Sequence, residues 1–236
     1  MKSKYYFPHT ATVFFLADSS CSLVLMDRKY LLAWEGAKTC SAPNGIRWEL
    51  RQAMGNFVQT PALGIVMMLF LGFGITVHSG VWGTLGRIVK RGKPISRKEK
   101  RALILAGCML LVYIIMIIGT TFAPWTMLRS VTGSLTNSPF QKGIYYLISF
   151  GVGLSGMAFG YASGRFRDDK DIIRGMSCLF SRFADYFVVL FFIVQFFSSL
   201  MYTNLVEWVG IDSYIVSYVF HICCYLPFAW MLNRKK

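Results

Sequence analysis

The sequence predicts an all-α, polytopic membrane protein of about five to six transmembrane helices, one of them broken, in a single membrane domain over residues 1–236. Three observations carry this. The chain of 236 residues is 55% hydrophobic and 15% charged, whereas a soluble domain carries about 25% charge. Its apolar residues come in long runs rather than in stripes, so lipid is the solvent they fit. Its Lys and Arg sit in short segments between those runs, which gives the net charge of +14 a topological meaning. No basic-aromatic surface suited to nucleic acid accompanies them, so nucleic acid is not an expected partner.

Five runs are close to the length a helix needs to cross the hydrocarbon core. The first spans residues 57–78 and contains PALGIVMMLFLGFGITV. The second, 103–124, reads LILAGCMLLVYIIMIIGTTFAP, and the third, 143–162, is Gly-rich and ends GMAFGYA. The fourth covers 183–203 and contains YFVVLFFIVQFFSSLMY; the fifth, 213–232, is near the end of the sequence. A sixth stretch, 11–26, is weaker, because it is short and carries Asp18 and three serines. A carboxylate at the centre of a spanning helix costs at least about 2.5 kcal/mol on insertion scales.

The basic residues orient these runs. Eight Lys/Arg lie in 87–101, and Arg165, Arg167, Lys170 and Arg174 lie in 163–174. Lys2 and Lys4 mark one terminus and Arg234, Lys235 and Lys236 the other. Six alternating helices put all four groups on one side, so loops 87–101 and 163–174 and both termini are predicted cytoplasmic.

Several features interrupt the helical pattern or give it a special face. Pro61, Gly64, Gly72 and Gly74 predict an interrupted early helix, tolerated where protein or a cavity satisfies the freed backbone. Gly156, Gly160 and Gly164 share a face at four-residue spacing and read as close helix packing or as a sliding or dimer interface. The segment DDKDIIRGMSCLFS, 168–181, reads as an interfacial amphipathic helix leading into the membrane, with Asp168 and Asp169 favouring its N-terminus.

The run 183–203 holds the candidate site. Gln195, Ser198, Ser199 and Tyr202 fall at i, i+3, i+4 and i+7 and share one face, with Asp185 more than two turns below. A polar stripe on so apolar a helix has two readings, inter-helix hydrogen bonding or a solute and ion path. Thr203 and Asn204 follow, then Glu207 and Asp212, where the helix fails. That pattern fits a half-helix ending at membrane depth, and equally an ordinary surface loop.

Enzymatic and metal chemistry find no support. The six cysteines, Cys21, Cys40, Cys108, Cys178, Cys223 and Cys224, form no C-x-x-C pair, and His9, His78 and His221 are scattered. No catalytic signature is present. The expectation is therefore no enzyme, no metal and no cofactor.

The stretches ISRKEKRALILAG, TGSLTNSPF, GMAFGYASGRFRDDKDIIRGMS and VVLFFIVQFFSSLMYTNL, in that order, resemble the AbgT family of bacterial p-aminobenzoyl-glutamate transporters, some of which export sulfonamide drugs. NGIRWEL, NFVQTPALGIVMML and the glycines from Gly72 to Gly80 resemble that family's early helix. The resemblance covers roughly 45–210. It implies a multi-pass protein of the bacterial inner (cytoplasmic) membrane that moves p-aminobenzoyl-glutamate or a related aromatic, peptide-like solute. It also implies an inverted-repeat secondary transporter or antiporter, cation-coupled and working as a homodimer in the lipid bilayer. The family's broken helix places an Asn, an aromatic, a Ser and an Asn in succession near the substrate. Here Met201, Tyr202, Thr203 and Asn204 stand at those positions, and Met201 departs from the pattern. The substrate-binding expectation is thus Gln195, Tyr202, Thr203 and Asn204, with Asp185. The family also implies a considerably longer chain with two re-entrant hairpins, for which this sequence offers no matching stretch. The alternative expectation is a shortened, transport-inactive protein that keeps only packing surfaces, a scaffold or remnant.

Overall fold

The computed structural model describes residues 12–13, 16–17, 43–89, 96–122, 128–129, 137–203, 206 and 210–234. Their regular structure is entirely helical. In chain order it comprises α1 (Pro43–Val58), α2 (Pro61–Ser79), α3 (Val81–Val89), α4 (Arg97–Phe122), α5 (Pro139–Ser163), α6 (Asp169–Arg182), α7 (Ala184–Tyr202) and α8 (Ser213–Arg234). Of the 11–26 stretch, only residues 12, 13, 16 and 17 are described, and they are helical. Four helices, α2, α4, α5 and α7, are long and apolar enough to cross a membrane, and α8 contributes a shorter apolar stretch, Ser213–Ala229.

Local chemistry sets the boundaries. Thr60 ends the turn after α1, its N–H bonded to the carbonyl of Phe57 and its hydroxyl donated to that of Asn56 at 2.7 Å. Pro61 then opens α2, where its missing N–H costs nothing. Gly80, at φ +79°, separates α2 from α3. Ser138 caps α5 by accepting the N–H of Gln141, Pro139 occupies the first turn, and Gly164 closes the helix at φ 75°. A residue with a Cβ resists that left-handed conformation.

Two sequence expectations change here. Gly64, Gly72 and Gly74 do not interrupt α2; the breaks fall at Thr60–Pro61 and at Gly80. Inside α2, glycine serves close approach instead. A Cβ on Gly74 would sit 2.6 Å from the carbonyl oxygen of Gly175. The start of α6 is also held differently from the expectation. The carboxylate of Asp171, rather than Asp168 or Asp169, accepts the N–H groups of Arg167 (3.0 Å) and Asp168 (3.4 Å). An acid three residues inside the helix reaches back to its entry.

The chain divides into two compact units. One comprises Ile65–Arg182. Within it α4 and α5 run antiparallel, pinned by the Tyr113 hydroxyl on the carbonyl of Leu147 at 2.9 Å and by Ala102 and Ala106 against Phe159. Gly151 is open to the Tyr113 ring, which a Cβ would meet at 2.5 Å. α2 packs on α5 through Gly72 and Ser149 and through Thr76 and Gly156. α6 runs antiparallel along α2: His78 stacks on Phe166, Gly175 meets Ile75, and Phe180 meets Phe70 edge-on. The Gly156, Gly160 and Gly164 series thus has three separate uses. Gly156 admits Thr76, Gly160 admits the Phe166 ring, and Gly164 is the cap.

The other unit comprises residues up to Gly64 and from Phe183 onward. Its centre is α7, whose Tyr186, Val189, Leu190 and Ile193 are fully buried. Phe183, which caps α7, and Phe197 within it meet Phe228 and Phe220 of α8, each at 5.3 Å between ring centroids. Helix α8 carries Pro227 in its interior. Pro227 offers no N–H to the carbonyl of Cys223 and opens that turn. The next carbonyl, of Cys224, accepts the hydroxyl of the buried Tyr186 at 3.1 Å.

Candidate functional site

Helices α1 and α7 pair antiparallel through three successive contacts. Phe57 meets Phe191 edge-on at 5.3 Å, the side-chain Nε2 of Gln195 donates to the carbonyl of Ala53 at 2.9 Å, and Trp48 stacks on Tyr202 at 4.1 Å and 18°. Gln195 and Tyr202 are seven residues apart, two turns of one helix, so the same face carries both. Trp48 and Ala53, five residues apart, meet them from the partner helix.

The predicted residues fall into three groups. Gln195, Tyr202 and Thr203 are brought to one end of α7. Gln195 is 7% exposed, Tyr202 is half-buried and Thr203 is buried. Between them Ser199 is buried and Ser198 half-buried. Asp185 is not part of this group. It is exposed in the first turn of α7, ten residues and roughly 15 Å of helix from Gln195. Asn204 lies outside the described residues, as does Glu207.

The chemistry of each side chain follows from its surroundings. Gln195 is an amide in an apolar setting, where an unmade hydrogen bond costs about 1–3 kcal/mol, so the bond to Ala53 fixes its orientation. An amide has a second N–H and a carbonyl oxygen besides that bond. Thr203 turns its hydroxyl back on its own helix, donating to the carbonyl of Leu200 at 3.0 Å, while its N–H bonds the carbonyl of Ser199. It therefore serves to close α7. Tyr202 and Trp48 offer two parallel aromatic faces, each with a polar edge.

Sequence reading did not single out Trp48 or the Ala53 carbonyl. The signal for Trp48 was an aromatic in the amphipathic segment NGIRWEL, and nothing in a sequence marks a backbone carbonyl. Two apolar grooves, of 330 and 210 Å³, lie elsewhere, within Ile65–Arg182. Leu110, Ile117 and Leu147 line the first and Met68, Phe150 and Met176 the second; neither is lined by Gln195, Tyr202 or Thr203.

Electrostatics are concentrated at the opposite kind of place, the basic segments. Glu99, in the charged turn ahead of the apolar part of α4, accepts from Arg87 at 2.6 Å and lies 3.8 Å from Arg165. It also accepts the N–H of Ser96 at 3.4 Å, as the acidic residue of a capping box does. The Arg87 hydrogen bond is the main reason its carboxyl is held below the ordinary value. Segments 87–101 and 163–174 thus meet at one end of their unit.

Comparison with known proteins agrees with this architecture. The model of the AbgT putative transporter family matches residues 86–216. The fold is similar to that of Neisseria gonorrhoeae MtrF, described as one of a class of antimetabolite efflux pumps. That likeness has a TM-score of 0.74 at 14% identity and covers 87% of this chain and 71% of MtrF. It is similar also to the Alcanivorax borkumensis YdaH transporter, described as having an unusual topology. Here the TM-score is 0.73 at 15% identity, over 86% of this chain and 74% of that one. Among curated proteins nothing matches the sequence.

Proposed function

Because the chain belongs to the AbgT family of transporters, we propose that it moves p-aminobenzoyl-glutamate, or a related small aromatic and peptide-like solute, across the bacterial cytoplasmic membrane. The transport is secondary, an antiport driven by a Na+ or H+ gradient, and the working form is a homodimer with both termini and the basic segments on the cytoplasmic side. The observation that carries this reading is the Gln195 amide, buried on a spanning helix two turns from the stacked rings of Trp48 and Tyr202. Amide and ring faces suit a solute that itself joins an aromatic ring to a peptide bond. Tyr202 and Thr203 continue the path at the end of α7, Asn204 follows them in sequence, and Asp185 contributes charge at the helix's start.

The test is transport of labelled p-aminobenzoyl-glutamate by cells or vesicles containing the full chain, under imposed Na+ and proton gradients. The expected result is gradient-dependent flux that Gln195→Leu and Asn204→Ala each reduce at least tenfold. Flux equal to that of vesicles without the protein, under both gradients, overturns the proposal.

A second reading rests on a specific observation. The Gln195 Nε2 and the Thr203 hydroxyl are both engaged by the chain's own carbonyls. A protein that uses its polar stripe only to pack helices would look like this, and it would show no flux while remaining folded.

A further inference from the structure

Helix α3 is nine residues long, and apart from Val81, which packs on Ala102, Ala106 and Phe159, its apolar side chains are exposed. Trp82, Leu85, Ile88 and Val89 are 52%, 41%, 43% and 75% exposed, at i, i+3, i+6 and i+7, so they form one face. The opposite face is engaged. Thr84 is fully buried and donates to the carbonyl of Gly80 at 3.3 Å, and Arg87 reaches the Thr84 hydroxyl at 3.2 Å. The Trp82 ring is also held in place, because its Nε1–H is donated to the Thr76 hydroxyl at 3.1 Å. The indole therefore meets its polar requirement inward and shows its ring outward.

Beside this face stands a concentration of positive charge. The Arg87–Glu99 ion pair, at 2.6 Å, brings the end of α3 against the first turn of α4. That turn exposes Arg97, Lys98, Lys100 and Arg101. Between Arg87 and Arg101 the sequence holds eight Lys/Arg and one acidic residue, Glu99, and Glu99 is already paired. From Leu103 onward α4 is a spanning helix, and only 11% of its apolar window is buried within the chain.

We infer that α3 lies in the headgroup–acyl boundary of the leaflet on the basic side, and that α3 and the first turns of α4 together bind an anionic phospholipid. The acyl chain packs on Trp82, Leu85 and Ile88, and the phosphate lies in the field of Lys98, Lys100 and Arg101, which are spread around the first turns of α4. A short helix with an apolar face, a Trp at its start and cations alongside has the composition of an interfacial segment. These cations form no ion pair among the described residues, and they attract the net negative charge of an anionic headgroup more strongly than a zwitterionic one, whose own ammonium offsets its phosphate. This inference rests on membrane residence alone and stands whether or not the chain transports.

The full chain in lipid nanodiscs provides the test. Phosphatidylglycerol retained by the protein is measured by native mass spectrometry against a phosphatidylcholine background. It is compared with the triple variant Lys98→Gln, Lys100→Gln, Arg101→Gln. We expect preferential retention of phosphatidylglycerol, weakened about a hundredfold in the triple variant. In a second arm, Trp82 is the one tryptophan kept, the other five being replaced by Phe, and its fluorescence is quenched by brominated acyl chains or by aqueous iodide. Quenching by brominated chains is the expected result. Equal retention of both lipids overturns the inference. So does quenching of Trp82 by iodide alone, or shielding from both quenchers, which would mean that a second copy or another protein covers the face.

Discussion

The hydroxyl of Ser149 stands between the N–H of Gly72, which it accepts at 3.0 Å, and the carbonyl of Met68, to which it donates. Those two backbone groups are each other's i→i−4 partners within α2. A side chain from α5 has thus entered the hydrogen-bond ladder of a neighbouring spanning helix, one of the recognised causes of a helix bend. Only a glycine at 72 allows it, since a Cβ there would lie 2.6 Å from the Ser149 carbonyl carbon.

The two partners should respond unequally to substitution. In Ser149→Ala the ladder of α2 can re-form across the gap, so the loss is about 0.5–1.5 kcal/mol. Gly72→Ala forces α2 and α5 apart, at about 1–3 kcal/mol. Thermal unfolding in detergent should rank Gly72→Ala as the more damaging; the reverse order would mean that the hydroxyl, not the close approach, holds the pair.

Tyr186 and Pro227 should be coupled. Tyr186→Phe removes the donor from the Cys224 carbonyl and costs about 1 kcal/mol. Pro227→Ala restores an N–H to its turn and lets the helix straighten. In the double variant the Tyr186→Phe cost should shrink. A fully additive double-mutant cycle would show that the turn opened at Cys223 by the proline does not influence the neighbouring Cys224 carbonyl.

At the candidate site, ring and hydroxyl of Tyr202 can be separated. Tyr202→Phe keeps the stack on Trp48, and Tyr202→Ala removes it. If the stacked pair forms part of the solute path, flux of p-aminobenzoyl-glutamate falls at least tenfold in Tyr202→Ala and within about twofold of normal in Tyr202→Phe, since ring contact is worth about 0.5–1.5 kcal/mol beyond its area. Equal losses in both would transfer the role to the hydroxyl.

Acid should loosen the basic end. The Arg87 hydrogen bond holds Glu99 below the ordinary 4.5, and the N–H of Arg167 is the main group holding Asp171 below 3.8. A lowered folded value means that the unfolded chain takes up the proton first as pH falls. Stability from these carboxylates is complete above about 5 and is lost progressively below it. Melting temperature should therefore be flat from neutral pH to about 5 and decline under it, with a shallower decline in Glu99→Gln. The same slope in wild type and Glu99→Gln would exclude the Arg87 pair as its source.

Much of the fold was legible because lipid enforces a simple rule. A chain that crosses hydrocarbon must satisfy its backbone internally, so the apolar runs become helices almost regardless of detail, as over Arg97–Phe122 and Ala184–Tyr202. Breakers were less legible. Gly72 and Gly74 read as weak points, yet both sit in continuous helix, because their missing Cβ atoms admit Ser149 and Gly175. The start of α6 shows the same limit: three aspartates lie within four residues, and geometry alone picks Asp171.

The sequence by itself determined the helical class, the positions of the apolar runs, the family and the shared face of Gln195, Ser199 and Tyr202. The class, the runs and the shared face follow from composition or from a period within one segment, and the family from the resemblance of several ordered motifs. Tertiary structure alone decided what that face meets: the Ala53 carbonyl and the Trp48 ring, far away in the chain. It also decided that Asp185 stands apart and that Thr203 bonds to its own helix. Periodicity fixes which side chains share a face, but the partner across the interface is chosen by packing, and packing is not written in any one segment.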